Sequence, residues 1–85
     1  MSLQEIFTAA VANSKTLSGK PDNETLLKLY SLYKQATEGD NTVAAPENMF
    51  DFVTRFKHEA WEKLKGMGKD DAMQQYIDLV NRLKI

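Results

Sequence analysis

Two lysines in this chain stand where a soluble helix ordinarily keeps apolar side chains. At about 100° per residue, residues 26 to 37 place Leu26, Leu27, Tyr30, Tyr33 and Thr37 on one helix face. Lys34 projects inside that face, between Tyr30 and Leu27. Lys57 repeats the anomaly on a later helix, between Leu64 and Trp61 within an apolar arc. A cation so placed is costly unless its head reaches water or an anion. The chemistry on offer is therefore anion binding: an ammonium is a point charge for a phosphate, and a phenol adds a flat apolar face and a hydroxyl donor. Tyr30, Tyr33 and Tyr76 each fall on or beside an apolar stripe. The plainer readings are structural. A lysine stem can cover apolar surface while its head escapes to water, and a tyrosine can pack in the core with its hydroxyl satisfied. Lys63, in the same arc between Phe52 and Phe56, is read that plainer way.

The elements that must position these residues are helices. Leu3, Phe7, Ala10, Val11 and Ser14 share one face, which makes residues 3–14 an amphipathic helix. Gly19, Lys20, Pro21 and Asp22 break the pattern. Asp22 or Asn23 then caps the second helix, Glu24 suits its first turn, and Gly39 terminates it. On that helix Leu29, Leu32 and Ala36 extend the apolar face round the side, leaving Lys28, Ser31, Gln35 and Glu38 for water on an arc of roughly 80°. So wide an apolar face should touch two things, the second being a ligand or a partner. Asp40 to Asn48, with Pro46, reads as a surface loop. The third helix is expected from about Asp51 to Lys65, with Phe52, Val53, Phe56, Ala60 and Leu64 as its stripe and Trp61 at one edge. Gly66-Met67-Gly68 makes a tight connection, and Asp70 and Asp71 open a fourth helix. There Ala72, Met73, Tyr76, Ile77, Val80 and Leu83 share a face. No segment sustains period-two alternation, so the fold class is all-α, a four-helix bundle forming one domain over residues 1–85.

Composition narrows the function classes. With 42% hydrophobic residues the chain can build a core, and without cysteine it has neither disulfides nor a thiolate metal site. No run approaches the roughly 18 apolar residues that span a bilayer, and Met1-Ser2-Leu3-Gln4-Glu5 lacks the pattern of a secretory signal. These features suit a cytoplasmic protein. Eleven basic against twelve acidic residues give no global field for nucleic acid, so an anion must be held by a local cluster. Catalysis has little support: a lone His58 has no nearby serine to activate, and Asp70 and Asp71 most simply complement a helix dipole. No metal-ligand spacing or glycine-rich phosphate loop appears. His58 is read as a surface or packing residue.

Two blocks sharpen this reading. Residues Tyr30-Ser31-Leu32-Tyr33-Lys34-Gln35-Ala36-Thr37-Glu38-Gly39-Asp40 closely resemble the signature of the acyl-CoA-binding protein family. Ala60-Trp61-Glu62-Lys63-Leu64-Lys65-Gly66-Met67, continuing through Lys69-Asp70-Asp71-Ala72-Met73 to Tyr76-Ile77, looks like the same family, and the resemblance runs from Phe7 to Ile85. It implies an up-down-down-up arrangement forming a shallow bowl with the ligand in its mouth. It further implies that acyl-CoA is contacted by Lys15, Tyr30, Ser31, Leu32, Tyr33, Lys34, Lys57 and Tyr76. Within that set Tyr30, Lys34 and Lys57 would grip the 3′-phosphate, and Tyr33 and Tyr76 would hold the adenine and ribose. The acyl chain would lie in a groove against Leu26 and Leu27. Three departures stand out: Val53 where a basic residue is common, His58 where a tryptophan is usual, and a loop from Asp40 to Asn48 that looks one residue longer.

The expectation is a non-enzymatic, monomeric carrier of medium- and long-chain acyl-CoA, needing no cofactor or metal and neither binding nucleic acid nor inserting stably in a membrane. The alternative is a helical interaction module whose second helix receives an amphipathic helix from a partner protein. A membrane-surface helix is a third option, weakened because no helix carries a strongly basic polar face.

Overall fold

The computed structural model describes all residues except 1, 18, 20, 46, 48, 49 and 85. The expectations for Lys20 in the first break, for Pro46 and Asn48 in the long loop, and for Ile85 at the end of the resemblance lie outside the described residues. Four helices form: α1 (Leu3–Ser14), α2 (Asn23–Glu38), α3 (Phe52–Glu62) and α4 (Lys69–Leu83). Each start has a local cause. Ser2 and Glu5 close a reciprocal capping box on α1. Asp22 accepts the Thr25 N–H at 2.7 Å to cap α2, and Asp51 accepts the Thr54 N–H at 3.2 Å to cap α3. Asp70 and Asp71 sit in the first turn of α4, beside the positive end of its dipole. Gly39 ends α2 at φ +82, a conformation that side chains resist, and its ψ of −148 directs the chain away instead of completing a left-handed turn.

The third helix is shorter than its pattern predicts. Beyond Glu62 the chain tightens into three-residue turns, with Leu64 N donating to Trp61 O and Met67 N to Leu64 O, both at 2.9 Å. Lys63 and Lys65 therefore lie past the end of α3.

Three helix pairs bring their backbones together: α1 with α4, α4 with α2, and α2 with α3. Side-chain contacts fix the directions. Phe7 stacks on Tyr33, late in α2, while Ser14 and Lys15 share a recess with Leu26, early in α2, so α1 and α2 run oppositely. Trp61 meets Gly39, and Val53 and Phe56 face Leu26 and Leu27, so α2 and α3 run in parallel. Met67, just before α4, meets Gln35, so α4 runs back along α2. The result is the up-down-down-up arrangement that the resemblance implies. Its bundle is open, measuring 40 × 29 × 15 Å, with α2 as the floor between α1 and α3.

The core lies between α1, α4 and one flank of α2: Phe7, Ala10, Leu29, Leu32, Ala36, Ala72, Met73, Tyr76, Ile77 and Val80. The stripes read for α1 and α4 are the buried ones. On α2 the expected solvent arc is only half exposed: Lys28 and Glu38 face water, and Ser31 and Gln35 do not. Gln35 is 0% exposed and Ser31 4%, both facing inward. Ser31 can be buried because its hydroxyl bonds its own helix at Lys28 O, 3.0 Å away. The Gln35 amide donates to Asp40 Oδ1 at 2.9 Å and to Met67 O at 2.8 Å. Asp40 Oδ1 also accepts the Gly66 N–H at 2.8 Å, and the Trp61 indole donates to Gly39 O at 2.8 Å. One polar node thus ties together the ends of α2 and α3 and the approach to α4.

The Gly66 N–H, and after it the Gln35 amide, hold the Asp40 carboxyl below its ordinary range. A depressed folded-state pKa contributes stability above the unfolded value and loses it as pH falls through the folded one. Urea-unfolding midpoints should therefore drop on acidification below the usual carboxylate range. Asp40→Asn should remove part of that drop, leaving the share of the similarly lowered caps Asp22 and Asp51. An unchanged acid limb in the variant would show that the node carries no protonation-linked stability.

Candidate functional site

Helix α2 buries part of its apolar face and leaves part open. Ser31 and Gln35 are inside with Leu29, Leu32 and Ala36, while Leu26, 36% exposed, and Tyr33 look outward. The open part is the one carrying Leu26 and Tyr33, and the cause is α4, which takes the flank carrying Leu29, Leu32 and Ala36. What remains uncovered is the floor of a bowl.

Among the described residues, three recesses open on that floor and share lining residues. An apolar one of about 510 Å³ is lined by Asn23, Glu24, Leu26, Leu27, Val53, Phe56 and Lys57. A second, about 390 Å³, lies between α2, α3 and the loop, with Tyr30, Lys34, Lys57, Trp61 and His58 in its walls. A third, about 310 Å³, gathers Lys15, Leu26, Tyr30, Tyr33 and Tyr76 with Ser14. Lys57 belongs to the first and second, Tyr30 to the second and third, and Leu26 to the first and third. The recesses therefore adjoin one another in one basin, polar toward the C-terminal parts of α2 and α3 and apolar toward their N-terminal parts.

The two anomalous lysines meet here, on walls contributed by separate helices. Lys34 Nζ bonds Glu38 Oε2 at 2.5 Å and lies 5.3 Å from the Trp61 ring centroid. The Glu38 hydrogen bond, against a smaller opposing effect of burial, raises its pKa, so the amine stays charged at neutral pH. Glu38, expected only to face water, is the anion that makes a cation tolerable at this position. Lys57 Nζ sits 5.1 Å from the Tyr30 ring centroid, and among the described residues it makes no ion pair. Its charge is held against an aromatic face and remains available to an incoming anion.

The loop wall is fixed by residues outside the expected site. Asn41, buried, accepts the Val43 N–H at 2.8 Å, and His58 Nε2 lies 2.8 Å from Val43 O. His58 thus clips the loop over α3, in keeping with its reading as a packing residue. Tyr76 is buried, meeting Phe7 edge-on at 5.2 Å between centroids and donating its hydroxyl to Ser14 Oγ at 3.0 Å.

Of the expected contact residues, the structure brings Lys15, Tyr30, Tyr33, Lys34, Lys57, Tyr76, Leu26 and Leu27 to the basin. Ser31 and Leu32 are not among its walls. Both are buried on the side of α2 turned away from the bowl, where Leu32 packs in the core. Their place in the signature block reflects helix packing, because neighbours in sequence point about 100° apart. Conversely, Val53 and Phe56, read as core stripe, are 63% and 52% exposed and form a wall of the apolar recess. The signal was present. Helix α3 also carries more apolar surface than one neighbour needs, the same surplus that marked α2.

Chemically, the basin can receive an anion beside aromatic faces and an apolar chain next to it. Among the described residues no cluster of His, Asp or Glu could hold a metal ion, and no helix is long and apolar enough to cross a membrane.

Comparison with known proteins agrees with this geometry. The family model described as "Acyl CoA binding protein" matches residues 4–80. The chain is 49% identical over 77 residues to acyl-CoA-binding protein homolog 1 of Caenorhabditis elegans, covering 91% of this chain and 88% of that protein. It is 46% identical over 80 residues to enoyl-CoA delta isomerase 2 of Rattus norvegicus, covering 94% of this chain but 20% of the isomerase. The crystal structure of acyl-CoA-binding protein 2 from Oryza sativa superposes with a TM-score of 0.90 at 41% identity, covering 96% of this chain and 90% of that one.

Proposed function

Since the chain belongs to the acyl-CoA-binding protein family, we propose that it binds medium- and long-chain fatty acyl-CoA esters and carries them with the acyl chain shielded from water. The observation that supports this best is the junction at Lys57 and Leu26, where a cationic, phenolic recess adjoins an apolar one. A nucleotide-tagged lipid has that same division between a phosphorylated head and a hydrocarbon tail.

In this reading Tyr30, Lys34 and Lys57 take the 3′-phosphate, since these three share one recess. Tyr33 and Tyr76 hold the adenine and ribose, with Lys15 as a further cation in their recess. Leu26 and Leu27 receive the acyl chain. Ser31 and Leu32 act from behind, by packing α2 in place. Charge-assisted contacts to the phosphate contribute roughly 1.5–3 kcal/mol each before the entropic cost of association. Each methylene withdrawn from water adds on the order of 0.8 kcal/mol. The head group thus gives recognition and the tail gives affinity. The protein does this as a cytoplasmic monomer without catalysis: the rat isomerase, of which the matching region covers only 20%, has the rest of its length in which to house its chemistry.

Titration calorimetry with a long-chain acyl-CoA, the free fatty acid and free coenzyme A should rank the thioester well above the other two. Fatty acid binding as tight as the thioester would remove the head-group roles of Tyr30, Lys34 and Lys57. Failure of all three would hand the groove on α2 to a partner helix. Lys57→Ala and Lys34→Ala should each weaken the thioester by roughly 1.5–3 kcal/mol with helicity unchanged, and added salt should weaken the wild type. Lys34→Ala should be the worse, because it leaves the Glu38 carboxylate uncompensated beside the phosphate.

The Lys34–Glu38 pair generates its own expectation. A bound phosphate shares Lys34 with a carboxylate already 2.5 Å away. Glu38→Gln should therefore tighten acyl-CoA binding, by less than about 1 kcal/mol since the pair is partly exposed. Weaker binding in this variant would mean that Glu38 positions Lys34 instead of competing for it.

A further inference from the structure

The apolar recess has two unlike ends. Toward the C-terminal parts of α2 and α3 its lining includes Lys57, shared with the cationic recess, and toward their N-terminal parts the exposed Asn23 and Glu24. Between them Leu26 and Leu27 of α2 face Val53 and Phe56 of α3. Because these helices run in parallel, the recess has a direction along α2: Lys34 and Glu24 are roughly 15 Å apart along its axis, at about 1.5 Å per residue. An acyl chain lying in this recess therefore runs along α2 between Lys57 and Glu24.

Resting on the acyl-CoA reading, we propose that Glu24, backed by Asn23, closes the far end of the acyl groove and sets the longest chain that gains from every added methylene, with Val53 and Phe56 as the wall opposite Leu26 and Leu27. The occupant is the ligand's own tail, because the groove adjoins the head-group recesses at Lys57 and Leu26. Val53 and Phe56 are more than half exposed, so their rings and methyls still have most of their surface to give to a chain. At Glu24 that gain ends. A methylene beyond it would meet an exposed, hydrated carboxylate instead of apolar surface, and so would lose no further contact with water. Glu24 makes no side-chain hydrogen bond or ion pair among the described residues, so its replacement breaks no partner. Val53, where the family commonly has a basic residue, is then no gap in the head-group site but part of the tail site.

The test is calorimetry of the intact chain with acyl-CoA esters of graded length. Affinity should climb about fourfold per methylene and then level off. In Glu24→Leu the levelling should move to longer chains, esters just past the wild-type limit gaining about fourfold per methylene while shorter esters keep their affinity. Glu24→Gln, which keeps the helix start polar, should give a smaller shift in the same direction and serves if the leucine variant does not fold. Phe56→Ala should weaken long esters several-fold and leave free coenzyme A unaffected. Levelling at the same length in both Glu24 variants overturns the proposal while leaving the acyl-CoA reading intact. Esters that bind no tighter than free coenzyme A at any length overturn the reading itself.

Discussion

The buried amide of Gln35 is the contact on which the geometry of this molecule turns. It lies fully inside the protein, where an unpaired amide costs on the order of 1–3 kcal/mol, and its two N–H groups reach Asp40 and Met67. Asp40 in turn accepts the Gly66 N–H, and the Trp61 indole donates to Gly39 O. These bonds draw the C-terminal ends of α2 and α3 together at the approach to α4. No comparable tie holds the N-terminal ends of α2 and α3 among the described residues, and there the two helices are lined with apolar side chains around a groove. Tight at one end and open at the other, a parallel helix pair becomes a cleft with a built-in direction.

Electrostatics follows from this frame. A cation on the inner face of a bowl needs compensation before any ligand arrives, and the two lysines find it differently: Lys34 in a carboxylate one turn along its helix, Lys57 in the face of an aromatic ring on the neighbouring helix. The first arrangement is the tighter. The second leaves the charge more available. A basin built from one neutralised and one loosely held cation has positive potential without the repulsion of two bare ammonium groups, and the nearly balanced net charge of −1 adds no long-range field.

Much of the fold was legible in the sequence because it is local. Capping at Asp22 and Asp51, the stripes of α1 and α4, and the glycine that ends α2 all announce themselves within a few residues. The lysines were legible too, as residues that contradict their surroundings. What could not be read was which neighbour covers which face. Gln35 looked solvated because the partner that permits its burial is Met67, distant in sequence. Phe52, Val53 and Phe56 looked like core because hydrophobic periodicity records that a surface avoids water, not whether protein or ligand relieves it. For the same reason Ser31 and Leu32 were drawn into the site by a contiguous motif when the helix turns them away from it.

The shortest dimension of the backbone, 15 Å, holds two helix layers, whose axes pack about 8–10 Å apart. In so shallow a bundle, α2 is the one helix against which α3 packs among the described residues. Cargo lying in the bowl would give α3 a second surface and become part of what keeps the chain folded. Occupancy at a hundred times the dissociation constant adds about 2.7 kcal/mol to the folded state, a large fraction of what a small domain possesses. A bound cargo therefore lowers the population of unfolded chain that a protease could attack.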